Sequence, residues 1–221
     1  MKLLINALIK FTCGLLMVGL LLFLPAGTLG YTYGWLLIGL LFGLMLIAGF
    51  VMLAKSPDFL KKRLDAKEKQ GTQKGVLAFS GLMFVAGFVV AGLEYRFGWS
   101  KMPMWVTIGA SVLFLIAYAL YAEVMRENAY LSRTVKVEEG QKVVDTGLYG
   151  IVRHPMYAAT ILLFMAMPLV LGSWYALMAF AFYPAIIIVR LKDEEDLLTR
   201  ELPGYAEYKQ KVKYRLIPFI W

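Results

Sequence analysis

Five consecutive residues, Arg153-His154-Pro155-Met156-Tyr157, concentrate side chains that could do chemistry. Proline fixes its own φ near −65° and disfavours helical geometry in the residue before it. His154 is therefore expected to be extended, with Pro155 at the first position of a helix. The first turn of that helix would carry backbone N–H groups without intrahelical partners, which attract carboxylate or phosphate oxygens. With Arg153 and His154 beside them, the pattern predicts an anion site where an apolar segment meets water. A basic anchor that only stops the chain at the lipid head groups would use the same charges.

A second polar run, Arg190-Leu191-Lys192-Asp193-Glu194-Glu195-Asp196, closes the last apolar segment. On a helix Arg190 and Glu194 share a face, with Leu191, Glu195 and Leu198 adjoining. The carboxylates from Asp193 to Asp196 offer acceptors for ribose hydroxyls or an ammonium, and they favour a cation such as a sulfonium. A solvated face with intrahelical ion pairs is the plainer alternative. Arg190, at the foot of an apolar segment, is costly unless paired or functional. Its planar fork suits a carboxylate or phosphate. Pro203-Gly204 then marks a turn, and Tyr205 and Tyr208 read first as interfacial residues packing the tail onto the bilayer.

The segments that must position these residues are apolar. Of 221 residues 60% are hydrophobic and 17% charged, against about 45–50% and about 25% in soluble domains. A spanning helix needs about 20 mostly apolar residues. Four segments qualify: Phe11–Leu24 extended back through Leu3–Ile9, Tyr31–Ala54, Val76–Leu93 and Met104–Ala122. Two shorter ones, Met156–Leu171 and Trp174–Val189, follow as a hairpin. The expected fold is an all-α integral membrane protein of about six helices arranged as hairpins, with a small cytoplasmic C-terminal region. Pro57 and the Lys61-Lys62-Arg63 run predict a short interfacial helix against anionic lipid. Thr134–Val144 alternates weakly and reads as a small β-hairpin.

Net charge is +8. In a soluble protein that would suggest nucleic acid; here topology and lipid attraction account for it, and no nucleic-acid partner is expected. Twenty-one of the 23 Lys and Arg fall on one side of the six-segment layout, leaving Arg96 and Lys101 on the other. Both termini are thus expected in the cytoplasm. One cysteine excludes an intramolecular disulfide, and one histidine excludes a histidine-rich metal centre.

Taken together, Asn128, the approach from Gln141 to Tyr149, Arg153-His154-Pro155-x-Tyr157, Arg190-x-x-x-Glu194-Glu195-x-x-Leu198 and Pro203-Gly204-Tyr205-x-x-Tyr208 resemble the isoprenylcysteine carboxyl methyltransferase family. The wider membrane group includes phospholipid N-methyltransferases. The resemblance implies an enzyme that uses S-adenosylmethionine, bound by the C-terminal cytoplasmic segments. It carries Tyr149, Arg153, His154, Pro155 and Tyr157 over to a first cofactor motif, and Arg190, Glu194 and Glu195 to a second that borders the methyl acceptor. Cofactor binding then falls to Tyr149, Arg153, His154, Pro155, Tyr157, Glu194 and Glu195, and catalysis to Arg190 and Glu194. Residues 1–221 read as a single membrane domain: 1–54 an accessory hairpin, 76–221 a methyltransferase core with cofactor motifs in 145–157 and 190–208. The acceptor implied is a lipophilic molecule or lipid reached from the bilayer, carrying a carboxylate, amine or thiol. The short loops suggest the cytoplasmic membrane of a microbe. An NADPH-dependent membrane reductase of sterol-reductase-like architecture and a non-catalytic membrane adaptor are the rival readings.

Overall fold

The computed structural model describes residues 2–64, 71–131 and 137–221. Its described residues form helices α1 (Lys2–Ala26), α2 (Thr32–Lys55), α3 (Pro57–Leu64), α4 (Gly71–Phe97), α5 (Met104–Glu127), α6 (Pro155–Val170), α7 (Trp174–Phe180), α8 (Tyr183–Glu201) and α9 (Tyr205–Lys211), with a 3₁₀ turn over Gly147–Gly150. The protein is an all-α chain with five stretches long and apolar enough to cross a membrane. They are Lys2–Ala26, Thr32–Lys55, Gln73–Phe97, Met104–Glu127 and the joint α7–α8 stretch Trp174–Glu201. The sixth expected segment is α6, an apolar helix of 16 residues. At 1.5 Å per residue it reaches about 24 Å.

The segment expected over Trp174–Val189 is not one helix. It breaks at Ala181-Phe182 and resumes as α8, which runs on to Glu201. Pro184 explains the break: it lacks an N–H and its ring crowds the carbonyl four residues earlier. Because α8 is continuous, Arg190, Glu194 and Glu195 ride on the same rod that crosses the core. The β-hairpin expected over Thr134–Val144 is a second correction. Residues 132–136 lie outside the described residues, and no strand forms over 137–144. Instead Gln141 N–H donates to Glu138 O at 3.0 Å and Glu138 N–H to Gln141 Oε1 at 2.9 Å, closing a turn. A lone two-stranded ribbon is marginal in water; Val137 and Val143 pack against Leu202, Tyr205, Tyr208 and Val212 instead.

The largest apolar core runs from Val18 in α1 through Leu191 in α8 to Leu216 in the tail. Within it α4 lies chiefly against α1, α7 and α8, while α5 lies against α6. Gly92 permits the first of these contacts. A Cβ there would stand 2.5 Å from Leu22 O, so only glycine lets the two backbones approach so closely. At the same end of the bundle the buried Glu94 accepts N–H bonds from Trp174 (3.3 Å) and Tyr175 (3.2 Å) and a hydroxyl bond from Ser173. It thereby caps α7 from a neighbouring helix.

Candidate active site

Pro155 opens α6, and His154 before it is non-helical, with φ −126° and ψ 62°. That is the arrangement the dipeptide demands. The returning tail pairs with this corner: Arg153 N–H donates to Tyr214 O at 2.8 Å and His154 N–H to Arg215 O at 2.9 Å. Arg153 Nη1 donates to Val212 O (2.8 Å) and Lys213 O (2.9 Å). Its Nε donates to Glu195 Oε1 at 2.6 Å, and His154 Nε2 lies 3.2 Å from the same oxygen. Arg215 Nε donates to Glu195 Oε2 at 2.9 Å. The anion at the Arg153-His154 corner is therefore the chain's own Glu195, buried to 2% exposure. Its opposite charges are desolvated together, and the site tolerates them because all are paired.

One helical turn past His154, Tyr157 donates its hydroxyl proton to the Glu194 carboxylate. Its oxygen accepts from Arg190 Nε at 3.0 Å. The His154 and Tyr157 rings stack at 5.7 Å. Arg190 and Glu194, one turn apart on α8, are thus joined through a phenol from α6.

The third wall comes from the 3₁₀ turn. Glu127, at the end of α5, accepts from Thr146 Oγ1 (3.0 Å) and Leu148 N (3.2 Å). Gly147 has φ +50°, which strains any residue with a side chain, and a Cβ there would stand 2.1 Å from Glu127 Oε1 and displace that carboxylate. The turn sets Tyr149, whose hydroxyl accepts from Asn128 Nδ2 at 2.9 Å and whose carbonyl accepts from Tyr208 at 2.7 Å. Burial pushes the Tyr149 phenol above its ordinary range, against the lowering pull of Asn128. Burial raises Tyr205 and Tyr208 likewise, so all three stay protonated near neutrality.

These walls enclose a cleft of about 830 Å³, its open side included, lined by Asn128, Tyr149, Arg153, His154, Tyr157, Arg190, Glu194, Tyr205 and Tyr208 among others. Of the residues singled out in the sequence, Pro155 and Glu195 stand behind it. Asp193 turns away to accept from Gln73 Nε2 at 2.7 Å. Tyr205, read as bilayer packing, instead lines the cleft, and its hydroxyl is buried with no hydrogen-bond partner among the described residues. Sequence reasoning missed Arg215 and Glu127. The signal for Arg215 was indirect: a carboxylate at the position of Glu195 needs cations if buried. Among the described residues no group of His, Cys, Asp or Glu is arranged to hold a metal ion.

Residues 105–204 match the phospholipid methyltransferase family, part of the wider membrane methyltransferase group. The match spans α5 through the turn before α9, and so holds every cleft residue named above except Tyr205 and Tyr208. Over 91 residues, 40% of this chain, the sequence is 29% identical to the Delta(14)-sterol reductase TM7SF2 of Mus musculus. Over 135 residues, 54% of the chain, it is 22% identical to a Delta(14)-sterol reductase of Methylotuvimicrobium alcaliphilum. The chain spans 22% and 32% of the lengths of these relatives.

Proposed function

We propose that this protein is an S-adenosylmethionine-dependent methyltransferase of the membrane, acting on a lipophilic acceptor that enters from the bilayer. The observation that carries the reading is the coincidence of the segment matching the phospholipid methyltransferase family with a polar cleft at the foot of apolar helices. The cleft's unmet needs fit the cofactor. Tyr205 holds a buried hydroxyl that lacks a partner among the described residues, and such an atom costs about 1–3 kcal/mol until a ligand's polar group satisfies it. Glu194 supplies acceptor oxygens for ribose hydroxyls or an ammonium, and Lys142, also on the lining, a cation for a carboxylate. Tyr149, His154, Tyr157 and Arg153 complete the proposed cofactor set. When bound, S-adenosylmethionine supplies an electrophilic methyl group.

The chain's own residues have four tasks in this mechanism. Glu195, with Arg153, His154 and Arg215, fixes the start of α6 to α8 and to the tail. Tyr157 holds Arg190 and Glu194 in register, which is the positioning an in-line displacement needs. Arg190 orients an acidic acceptor group. An ionised carboxylate or thiolate acceptor needs no base, whereas an ammonium must lose its proton, and Glu194 is the carboxylate lining the cleft that can take it.

A second reading, an NADPH-dependent reductase, draws on the similarity to Delta(14)-sterol reductases. It also gains from the geometry, because only one carboxylate of the Asp193–Asp196 cluster lines the cleft, beside Lys142 and Arg190. Calorimetric titration of the purified protein with S-adenosylhomocysteine and, separately, NADPH decides between them. The methyltransferase reading expects binding of the first and none of the second. The reverse pattern replaces it with the reductase, and binding of neither leaves a non-catalytic adaptor.

A further inference from the structure

The two N-terminal helices carry few polar residues, yet with α3, α5 and α6 they build a second concavity, larger than the cleft. It encloses about 1670 Å³, its open side included, with walls such as Phe11, Leu41, Gly49, Leu60, Leu163 and Phe164. Lys10 and Arg63 are its charged lining residues, and no Asp or Glu lines it. Lys10 sits about 12 Å along α1 by helical rise. Its ammonium donates to Leu64 O, at the end of α3. Arg63 donates to the Tyr121 hydroxyl, its guanidinium 5.6 Å from that ring's centre. Both cations are thereby held at the chamber by neutral partners. No carboxylate among the described residues pairs with either. Cations set against an apolar wall without a counter-ion are expensive, and basic pockets between membrane helices take anionic head groups.

We propose that this chamber is a lipid site: it takes an acyl chain of an anionic bilayer phospholipid, with the phosphate between Lys10 and Arg63. The charge selects the occupant, since a zwitterionic lipid brings a cation of its own to a collar that already has two. The apolar walls select a chain rather than a soluble phosphate. The site adjoins the cleft without sharing its polar lining. Along α6, Met156 and Tyr157 line the cleft, and Thr160, Leu163 and Phe164 line the chamber one turn further on. On the other side, Phe59 of α3 packs against Val124, Leu131 and Tyr149, fixing the collar beside the cleft wall.

Native mass spectrometry of the full chain, released from micelles containing equimolar dioleoyl phosphatidylglycerol, dioleoyl phosphatidylcholine and oleate, tests the site. The parent is expected to retain phosphatidylglycerol about tenfold over phosphatidylcholine. The double substitution Lys10→Gln and Arg63→Gln is expected to abolish that preference while phosphatidylcholine retention stays level. Gly49→Phe projects into open space, since a Cβ there meets nothing within 4 Å. It is expected to cut phosphatidylglycerol retention at least fivefold without a lower melting temperature. S-adenosylhomocysteine binding should be unchanged in every variant, which keeps this test separate from that of the cleft. Equal retention of the two phospholipids by the parent, a preference that survives loss of both cations, or retention of oleate in place of phosphatidylglycerol would overturn the proposal. If the double variant does not fold, unaltered phosphatidylglycerol retention by Gly49→Phe overturns it alone.

Discussion

Glu195 shows how much a single position decides. Arg153, His154 and Arg215 all converge on its two oxygens. Removing one partner of a buried ionic group is far more damaging than never having had the group. Glu195→Ala is expected to cost about 3–5 kcal/mol, read as a lowered melting temperature and as loss of hydrogen-exchange protection in 212–217. Unchanged melting would show that the tail does not depend on this carboxylate. Tyr157→Phe makes the contrasting case. It keeps the ring, and hence the packing, but removes the hydroxyl between Arg190 and Glu194. S-adenosylhomocysteine affinity is expected to fall about tenfold, within the 1–3 kcal/mol or so of an unmade buried hydrogen bond, with little change in melting. Arg190→Lys is expected to leave that affinity nearly intact and to depress turnover sharply, because lysine cannot reproduce the planar fork. A loss confined to cofactor affinity would instead place Arg190 at the cofactor end. The sequence made the Arg153–Tyr157 and Arg190–Glu195 runs legible, but not the direction each side chain takes. Neighbours on a helix point about 100° apart, so Glu194 enters the cleft while Glu195 turns to the tail. Nothing in a row of like carboxylates says which is which.

At the scale of elements, the long apolar helices were readable because length and composition alone decide them. The α7–α8 break was not, although its cause, Pro184, was in plain view. Apolar character hides a broken helix, since both halves are equally hydrophobic and the proline is allowed in a first turn. The expected hairpin over Thr134–Val144 misled for the opposite reason: alternation of valines fits a ribbon, but Val137 and Val143 pack with α9 and Leu202, and Val144 with Val124, Leu131 and Tyr149. Inter-element caps are likewise invisible before folding. Glu94 looks like an isolated charge near the end of an apolar segment, yet it satisfies α7's first N–H groups across the bundle. Glu94→Ala leaves those donors and Ser173 without their acceptor. Its expected cost is about 1–3 kcal/mol in chemical denaturation, with S-adenosylhomocysteine binding unaltered. Parental stability would mean that the α4–α7 contact, not the cap, holds this end together.

The whole molecule has two chemically distinct ends, and they motivate a prediction of its orientation. At one end the α1–α2 loop, the end of α4 and the α6–α7 turn meet: Tyr95 donates to Gly30 O at 3.1 Å and Tyr31 to Leu171 O at 2.6 Å. Exposed Trp35, Trp99, Trp105 and Trp174 belong to the segments around this end, as interfacial aromatics do. At the other end lie α3, the cleft and the tail, tied by the Lys62–Glu138 ion pair and by Arg153 on Val212 O. Arg96 and Lys101 belong to the first end, whereas the other 21 Lys and Arg fall on the opposite side of the six-segment sequence layout. A bias of that size in short loops predicts that the cleft end faces the cytoplasm. The single cysteine, Cys13, makes the test simple. With Cys13→Ser as background, Lys101→Cys and Lys209→Cys are made separately and treated in intact cells with a membrane-impermeant maleimide. The expected result is immediate labelling at position 101 and labelling at 209 only after lysis. Neither substitution touches the core, and among the described residues Lys209 makes a single, exposed side-chain bond, to Thr199, so both variants should fold. Labelling at 209 in intact cells would invert the molecule and put the cleft on the far side of the membrane. The basic asymmetry would then have to be explained by lipid binding rather than by topology.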